Sequence, residues 1–385
     1  MRQKSTDILY LCDNSGGITV SGEAESISIL AKHFENVYDI AVIEPSAIDH
    51  DRFGKNVYKV VRMNRLKYVF KNPFLFVYYI VKMQKLIKKL SPRIIHTQSQ
   101  VSFFIVGLLI RLRLINKKDF FLIHTDRGLY LKYSNFINNI FLYCMRYMDA
   151  LVTTTQYNMN FWSDAIHKKY PNKQFWFSVI ENTAGSVYEQ YNSQKKKFDR
   201  FTVGFAGRYC DWKDWQLAEK ICMLIHEKNL NIRFDMAIGT INNTEKNYIA
   251  EINTFINRMQ RMCGNNFIGR IDHPFEEMDD YYYGVDVFVL TSKPNTESFG
   301  RTLVEAMSRK CAVLSTDSGG ATEVVGNKSN ILSTAEEFAE KIIHWYNSPQ
   351  ELNAEKENCW LYVHKHFSLH NNISKHKKLY EKFLC

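Results

Sequence analysis

Glu297 and Glu305 stand eight residues apart in the segment ESFGRTLVE, with Gly300 between them. On a helix rising about 1.5 Å per residue the two carboxylates would lie roughly 12 Å apart, too far to share one reacting atom or one small metal ion. What two acids at that span can do is bind: each carboxylate can accept paired hydrogen bonds from adjacent hydroxyls. Cationic chemistry appears in GFAGRYCDWKD, where Arg208 offers a planar fork and Lys213 a point charge, both suited to a diphosphate. A third candidate is Ser15-Gly16-Gly17, whose glycines would let backbone approach a phosphate or an acceptor; a plain turn explains them equally well.

The local sequence says how these groups would be positioned. VDVFVLT (285–291) reads as a buried strand, and the turn residues of SKPNT follow it. RTLVEAMSR then has good helix formers, so a helix is expected to begin near Gly300. Its first amides, around Ser298, Phe299, Gly300 and Arg301, would form an anion site at the positive end of the helix dipole. Glu297 would precede that site and Glu305 would lie just past the first turn. A ligand with a diphosphate in the middle and hydroxyl-rich groups at both ends fits this arrangement, and a nucleotide-sugar is built that way. The plainer alternative is a capping glutamate followed by an ordinary helix-surface glutamate.

The elements around these segments alternate. In the first half DILYLC (7–12), VYDIAVI (37–43), PRIIHTQ (92–98), DFFLIHT (119–125) and DALVTTT (149–155) read as strands. Helices are expected at 23–34 and 73–90, and the apolar run 101–110 is too short to span a bilayer and reads as a buried helix. NSQKKKFDR (192–200) reads as a linker, after which the pattern restarts. Strands are expected near 201–207, 232–239, 265–269, 285–291 and 311–316, with helices near 215–229, 246–261 and 276–283. Alternating short strands and helices imply an α/β fold with two doubly wound parallel sheets. Such sheets place ligands outside the carboxyl ends of their strands.

Composition narrows the class. The 385 residues suit two domains, and no internal repeat or low-complexity tract interrupts them. The eight cysteines are scattered without a C-x-x-C pair, which argues against a zinc site or a redox dithiol. Met1 to Asp7 is polar and the apolar run after it is short, so no secretory signal is expected and the cytoplasm is the expected location. Residues 1–200 carry 29 Lys+Arg against 16 Asp+Glu, or +13; residues 201–385 carry 21 against 24, or −3. The basic half suggests an anionic partner, although a solvated basic surface would give the same count.

In the second half these pieces resemble the retaining glycosyltransferases of the GT-B fold, specifically family 4, the bacterial group 1 glycosyl transferases. The resemblance rests on VGFAGRYCDWKDWQLA, on residues 285–325 and on the E-x7-E spacing; it is specific over 200–345 and looser over 1–190, where VIENTAG (179–185) resembles the close of the first domain. KCAV (310–313) stands where the family often has Gly-x-Pro-Val. The resemblance implies two Rossmann-like domains facing across a cleft. The first would span 1–190, on the acceptor side, with a terminal helix (about 368–385) crossing back to it. The second would span 200–367 and bind the nucleotide-sugar.

The resemblance also implies residue roles. Glu297 would hold donor-sugar hydroxyls, Ser298, Phe299 and Gly300 would present backbone to sugar and diphosphate, and Glu305 would take the ribose. Arg208 and Lys213 would bind the diphosphate, with Gly16 and Gly17 approaching it from the first domain. The base would rest near Arg270 and Ile271. A functional histidine at a strand end would be His124, or Arg127 under a shifted alignment; His96 would line the cleft.

The activity implied is transfer of a sugar from a UDP- or GDP-sugar to an acceptor hydroxyl with retained configuration, without a cofactor or a required metal. The expected acceptor is a lipid-linked or cell-envelope glycan. The lysines accompanying FLFVYY suggest peripheral contact with an anionic membrane at the inner face of the cytoplasmic membrane. A nucleotide-sugar isomerase of the same fold is the alternative. Nucleic acid is not an expected partner, because no RNA-binding motif or stacking platform accompanies the basic charge.

Overall fold

The computed structural model describes residues 6–15, 22–45, 50–63, 65–197, 199–240 and 246–384. The chain divides into two compact units, Met1–Asn182 with Asn372–Cys385, and Thr183–Asn371. Among the described residues no helix is long and apolar enough to cross a membrane.

Unit 1 runs β1 (Ile8–Leu11), α1 (Gly22–Phe34), β2 (Ile40–Glu44), β3 (Val57–Lys59), α2 (Pro73–Leu90), β4 (Ile94–Thr97), α3 (Gln100–Arg111), β5 (Phe121–Asp126), α4 (Asn135–Met145), β6 (Ala150–Thr153), α5 (Gln156–Lys169) and β7 (Trp176–Val179). The seven strands form one parallel sheet in the order β3-β2-β1-β4-β5-β6-β7. The inner strands are buried on both faces, so they read as continuous apolar runs such as IAVI rather than as alternation. α2 begins where Asn72 caps it, accepting from the amides of Phe74 and Leu75 at 3.0 and 3.2 Å, with Pro73 in the first helical position. One face of the sheet packs Phe103, Val106, Met145 and Trp162.

Unit 2 runs β8 (Thr202–Arg208), α6 (Trp215–His226), β9 (Arg233–Gly239), α7 (Lys246–Cys263), β10 (Phe267–Ile271), α8 (Met278–Tyr283), β11 (Val287–Leu290), α9 (Arg301–Met307), β12 (Ala312–Ser315), α10 (Ala321–Val325), α11 (Ala335–Asn347) and α12 (Pro349–His366). Its parallel sheet has the order β10-β9-β8-β11-β12. The last helix, α13 (Leu369–Leu384), supplies Asn372 onward to unit 1, where Tyr380 packs edge-on to Phe34 and Tyr10.

The stretch 192–200, expected to be a linker, is held to unit 2 instead. Lys196 is buried, donates to the Val285 carbonyl at 2.5 Å and lies 3.9 Å from Asp286, so backbone and charge both anchor it. Chain crossings between the units fall after Asn182 and before Asn372.

Candidate functional site

In unit 2 the strand order reverses between β8 and β11: β9 and β10 build outward on one side of β8, and β11 and β12 on the other. A crevice at the carboxyl ends of two such strands is where open α/β sheets bind ligands. The loops after these two strands are tied together. Lys293 donates its amide to the Trp212 carbonyl at 2.9 Å, and Thr291 its hydroxyl to the Lys213 carbonyl at 2.9 Å. Across this seam Lys213 Nζ reaches Glu297 Oε1 at 2.7 Å, and Ser292 Oγ donates to the same oxygen at 2.7 Å. The lysine stem crosses Gly207 so closely that a Cβ there would lie 3.3 Å from Lys213 Cε. Asp214 holds the turn in the left-handed region (φ 45°) and caps α6 by accepting from the Leu217 amide. Arg208, at the end of β8, is exposed and has no ion pair among the described residues.

Glu297 is fixed through its backbone. Its amide donates to the Ser318 carbonyl at 2.9 Å, and its carbonyl accepts from Gly320 at 2.9 Å. The chain then turns through Gly300, at φ 86°, where a Cβ would meet Leu303 Cδ1 at 3.1 Å. The dihedral therefore favours glycine at this position, and a Cβ would also crowd Leu303. Phe299 points into the core against Phe367, leaving only its backbone toward the crevice loops. α9 starts at Arg301, so Glu305 falls just past the first turn. It is buried: Tyr282 donates to its Oε2 at 2.9 Å, and Arg301 Nε lies 3.2 Å from its Oε1. Arg301 also donates to the Ala184 carbonyl at 3.0 Å.

At the sheet edge Arg270 is paired within the protein. Its guanidinium forks onto the Asp235 carboxylate of the neighbouring strand, at 2.8 and 2.9 Å. That pairing also holds its proton more tightly than usual. Ile271 ends β10 and packs against the unit 2 core. Asp272 follows in the left-handed region and accepts from the Thr240 amide and hydroxyl, bracing the ends of β9 and β10 together.

In unit 1 the order reverses between β1 and β4. Gly16 and Gly17 lie outside the described residues. Around them, Asp13 accepts from the amides of Val101 and Ser102 at 2.8 Å each, capping α3. Glu23 accepts from the Asp13 amide at 2.8 Å. Burial and the neighbouring Glu23 push the Asp13 carboxyl up to about 8, and burial raises Glu23 as well.

His124 does not stand at a strand end. It lies within β5, two residues before Asp126, and points to the α3 side of the sheet, where its ring stacks on Phe103 at 4.1 Å. Its Nδ1 shares a hydrogen bond with Thr97 Oγ1 at 2.9 Å, and it is 2% exposed. Burial lowers its pKa to about 4, so the ring is neutral near pH 7. His96 faces the other way and is also consumed, by Thr125 at 2.7 Å and Tyr380 at 2.9 Å. The residue that follows the end of β5 is Arg127. Its Nε and Nη2 donate to Gln98 Oε1 and its Nη1 to Asn182 Oδ1. Asp126 anchors that loop, accepting from Trp162 at 2.6 Å, Asn158 at 3.1 Å and the Gly128 amide at 3.2 Å.

Residues 200–348 match the family model described as "Glycosyl transferases group 1". This part of unit 2 is thus similar to that family. No curated protein sequence matches the chain. Solved structures similar to it extend over both units. A glycosyltransferase from Rickettsia africae superposes with a TM-score of 0.75 at 19% identity, covering 99% of each chain. Anabaena HepE, solved in complex with UDP and glucose, gives 0.74 at 17% identity, covering 98% of this chain and 100% of that one. Sucrose-phosphate synthase from Thermosynechococcus elongatus gives 0.76 at 15% identity, covering 98% of each. The fold of the whole chain is therefore GT-B.

In unit 2 the β8 and β11 loops bring Lys213, Ser292 and Glu297 together, while Arg208 ends β8 and Gly300 and Glu305 belong to the start of α9. Sequence reasoning missed Ser292, Tyr282, Asp235 and the loop Ser318–Gly320. Only the last had a sequence signal, the Ser-Gly-Gly turn after β12; the others are partners found by position across the fold. Among the described residues, no group of three or more His, Cys, Asp or Glu side chains is gathered as a metal site would require.

Proposed function

We propose that this glycosyltransferase moves a sugar from a UDP- or GDP-sugar to an acceptor hydroxyl with retention of anomeric configuration. The observation that carries the proposal is the Lys213–Glu297–Ser292 cluster at the strand-order reversal, followed by Gly300 at the start of α9. Glu297, already oriented by Lys213 and Ser292, takes hydroxyls of the donor sugar. Arg208 and Lys213 take the diphosphate and stabilise the charge that develops on it as the glycosidic C–O bond breaks, without calling on a metal ion. Glu305, held at the start of α9 by Tyr282 and Arg301, takes the ribose hydroxyls, and the base lies toward Ile271. The acceptor oxygen attacks the anomeric carbon from the face the diphosphate leaves, and its proton passes to the departing phosphate oxygen. The complex of Anabaena HepE with UDP-glucose, a protein of the same fold, supports a nucleotide-sugar donor.

On the acceptor side, the basic unit 1 supports a lipid-linked or envelope glycan handled at the cytoplasmic membrane surface. Arg127 is better placed than His124 to meet a ligand at the end of β5, because His124 is enclosed on the α3 side.

The test is a panel of UDP-, GDP- and ADP-sugars, scored by thermal shift and by nucleoside diphosphate release, with the product anomer assigned by NMR. Stabilisation and turnover by one donor, yielding a product of unchanged configuration, is the expected result. Release of a changed nucleotide-sugar without free nucleoside diphosphate would replace transfer with isomerisation. An inverted product would remove the same-face attack.

A further inference from the structure

From Arg52 to Lys118 the chain carries sixteen Lys and Arg residues and no Asp or Glu. α2 lies in the middle of this stretch. One stripe of it, Tyr79, Ile80, Met83, Ile87 and Leu90, is buried against the sheet, as an amphipathic helix requires. The opposite stripe should be polar throughout, and it is not. Phe74, Val77, Tyr78 and Val81 recur at i, i+3, i+4 and i+7 and are exposed, Phe74 to 85%. Phe70, just before the helix, is exposed beside them and touches Phe76. The same outward stripe then changes character, because Lys85, Lys88 and Lys89 are exposed in the last turns. Lys67 and Lys71 flank the near end with their ammonium groups 5.3 and 5.1 Å from the Tyr68 ring, and Lys82 lies over Tyr78.

We propose that this outward face of α2 docks on an anionic lipid bilayer, with Phe74, Val77, Tyr78 and Val81 entering the headgroup–acyl boundary and the surrounding lysines contacting anionic headgroups. This deepens the membrane contact within the proposed function and rests on that part of it alone. An apolar stripe bordered by cations with long flexible stems is the composition of an interfacial helix. Charge selects the occupant. A second copy meeting this face with its own would set Lys67, Lys71, Lys82, Lys85, Lys88 and Lys89 against the same six lysines. Single-stranded nucleic acid would use aromatic faces for stacking, and Val77 and Val81 at the centre of the stripe offer none. An anionic bilayer complements both the lysines and the aliphatic groups.

The test uses the full chain in flotation with vesicles of phosphatidylcholine alone, or with phosphatidylglycerol added. Neither donor nor acceptor is present, so failure here leaves the transfer reading standing. Wild type should float with the anionic vesicles at about 0.1 M salt and lose most of that binding at about 1 M, where the screening length falls from about 10 Å to about 3 Å. Combined Phe74→Gln, Val77→Gln and Val81→Gln changes keep the exposed face helix-compatible. They should weaken anionic-vesicle binding at least tenfold while the melting temperature and donor hydrolysis stay as in wild type. Combined Lys67→Gln, Lys71→Gln, Lys85→Gln, Lys88→Gln and Lys89→Gln changes should abolish the preference for phosphatidylglycerol. Absence of wild-type flotation at low salt overturns the proposal, as does unchanged flotation of the apolar variant. So does a dimer in solution that the apolar variant dissociates, or RNA binding that outcompetes the vesicles.

Discussion

Replacing Glu297 by Gln tests the assignment of the crevice with little change of shape. Gln keeps an oxygen for Ser292 and for Lys213 but removes the negative charge. At 2.7 Å and an effective dielectric near 20, the gross attraction lost is roughly 6 kcal/mol. Most of it is offset, because Lys213 and Glu297 are each only 14% exposed in their side chains and both are partly desolvated to make the pair. The net effect on folding is expected within about 1 kcal/mol, a melting shift of about 2–4 °C for a unit of this size. The effect on turnover should be far larger. If the carboxylate holds donor hydroxyls more tightly as the glycosidic bond breaks, its loss costs about 2.7–4 kcal/mol, or about 10²–10³ in rate. The assay is nucleoside diphosphate release from the donor the panel selects, beside a thermal melt. A Glu297→Gln protein that melts normally and turns over within about threefold of wild type would refute the assignment. Lys213→Gln and the double variant complete the cycle; strong non-additivity is expected because the two groups share one oxygen.

Gly300→Ala should lower the unit 2 melting temperature by roughly 5 °C, since φ 86° costs an L-residue about 1–2 kcal/mol and Leu303 crowds the new Cβ. Donor turnover should fall with it. Arg309→Ala should destabilise unit 2 by about 3–5 kcal/mol, seen as a large loss in the thermal melt, because it strips a buried guanidinium from Asp279 and the carbonyls of Val187, Tyr188 and Gln190. For pH, His124 is depressed to about 4 when folded, so between about 6.5 and 4 the unfolded chain binds the extra proton and stability falls as pH falls. Asp13, raised to about 8, works in the opposite direction over roughly pH 8 to 4. The measurable quantity is therefore a difference: His124→Leu should show a shallower loss of melting temperature from pH 7 to pH 4 than wild type.

What could be read from the sequence follows the physics of each element. α2 was legible to the residue because Asn72-Pro73 is a cap and a first-turn proline together. The inner strands were legible because parallel strands buried on both faces are apolar throughout. β3 and β7 were not, since they are short and only partly buried. Among candidate residues, Lys213 and Glu297, in loops beside neighbouring strand ends, meet as their positions in a doubly wound sheet require. His124 differs because the period of two in β5 sets its side chain on the α3 face with Leu122, a phase that a single apolar run does not reveal. The pairing of Arg270 with Asp235 was not legible, because its cross-strand partner is 35 positions away in sequence. The burial of Glu305 depends likewise on Tyr282, which comes from another element.

The return of α13 to unit 1 has a consequence for biosynthesis. Tyr380 covers Tyr10 and His96 on one face of the first sheet, yet it is made after all of unit 2. During translation that face stays uncovered while the second unit emerges and folds. The nascent first unit is then a sheet waiting for its cover, open to chaperones and proteases for the time the ribosome needs to make everything between Asn182 and Asn372. Damage to α13 should therefore show first as poor recovery of the protein from cells, before any defect appears in the material that survives.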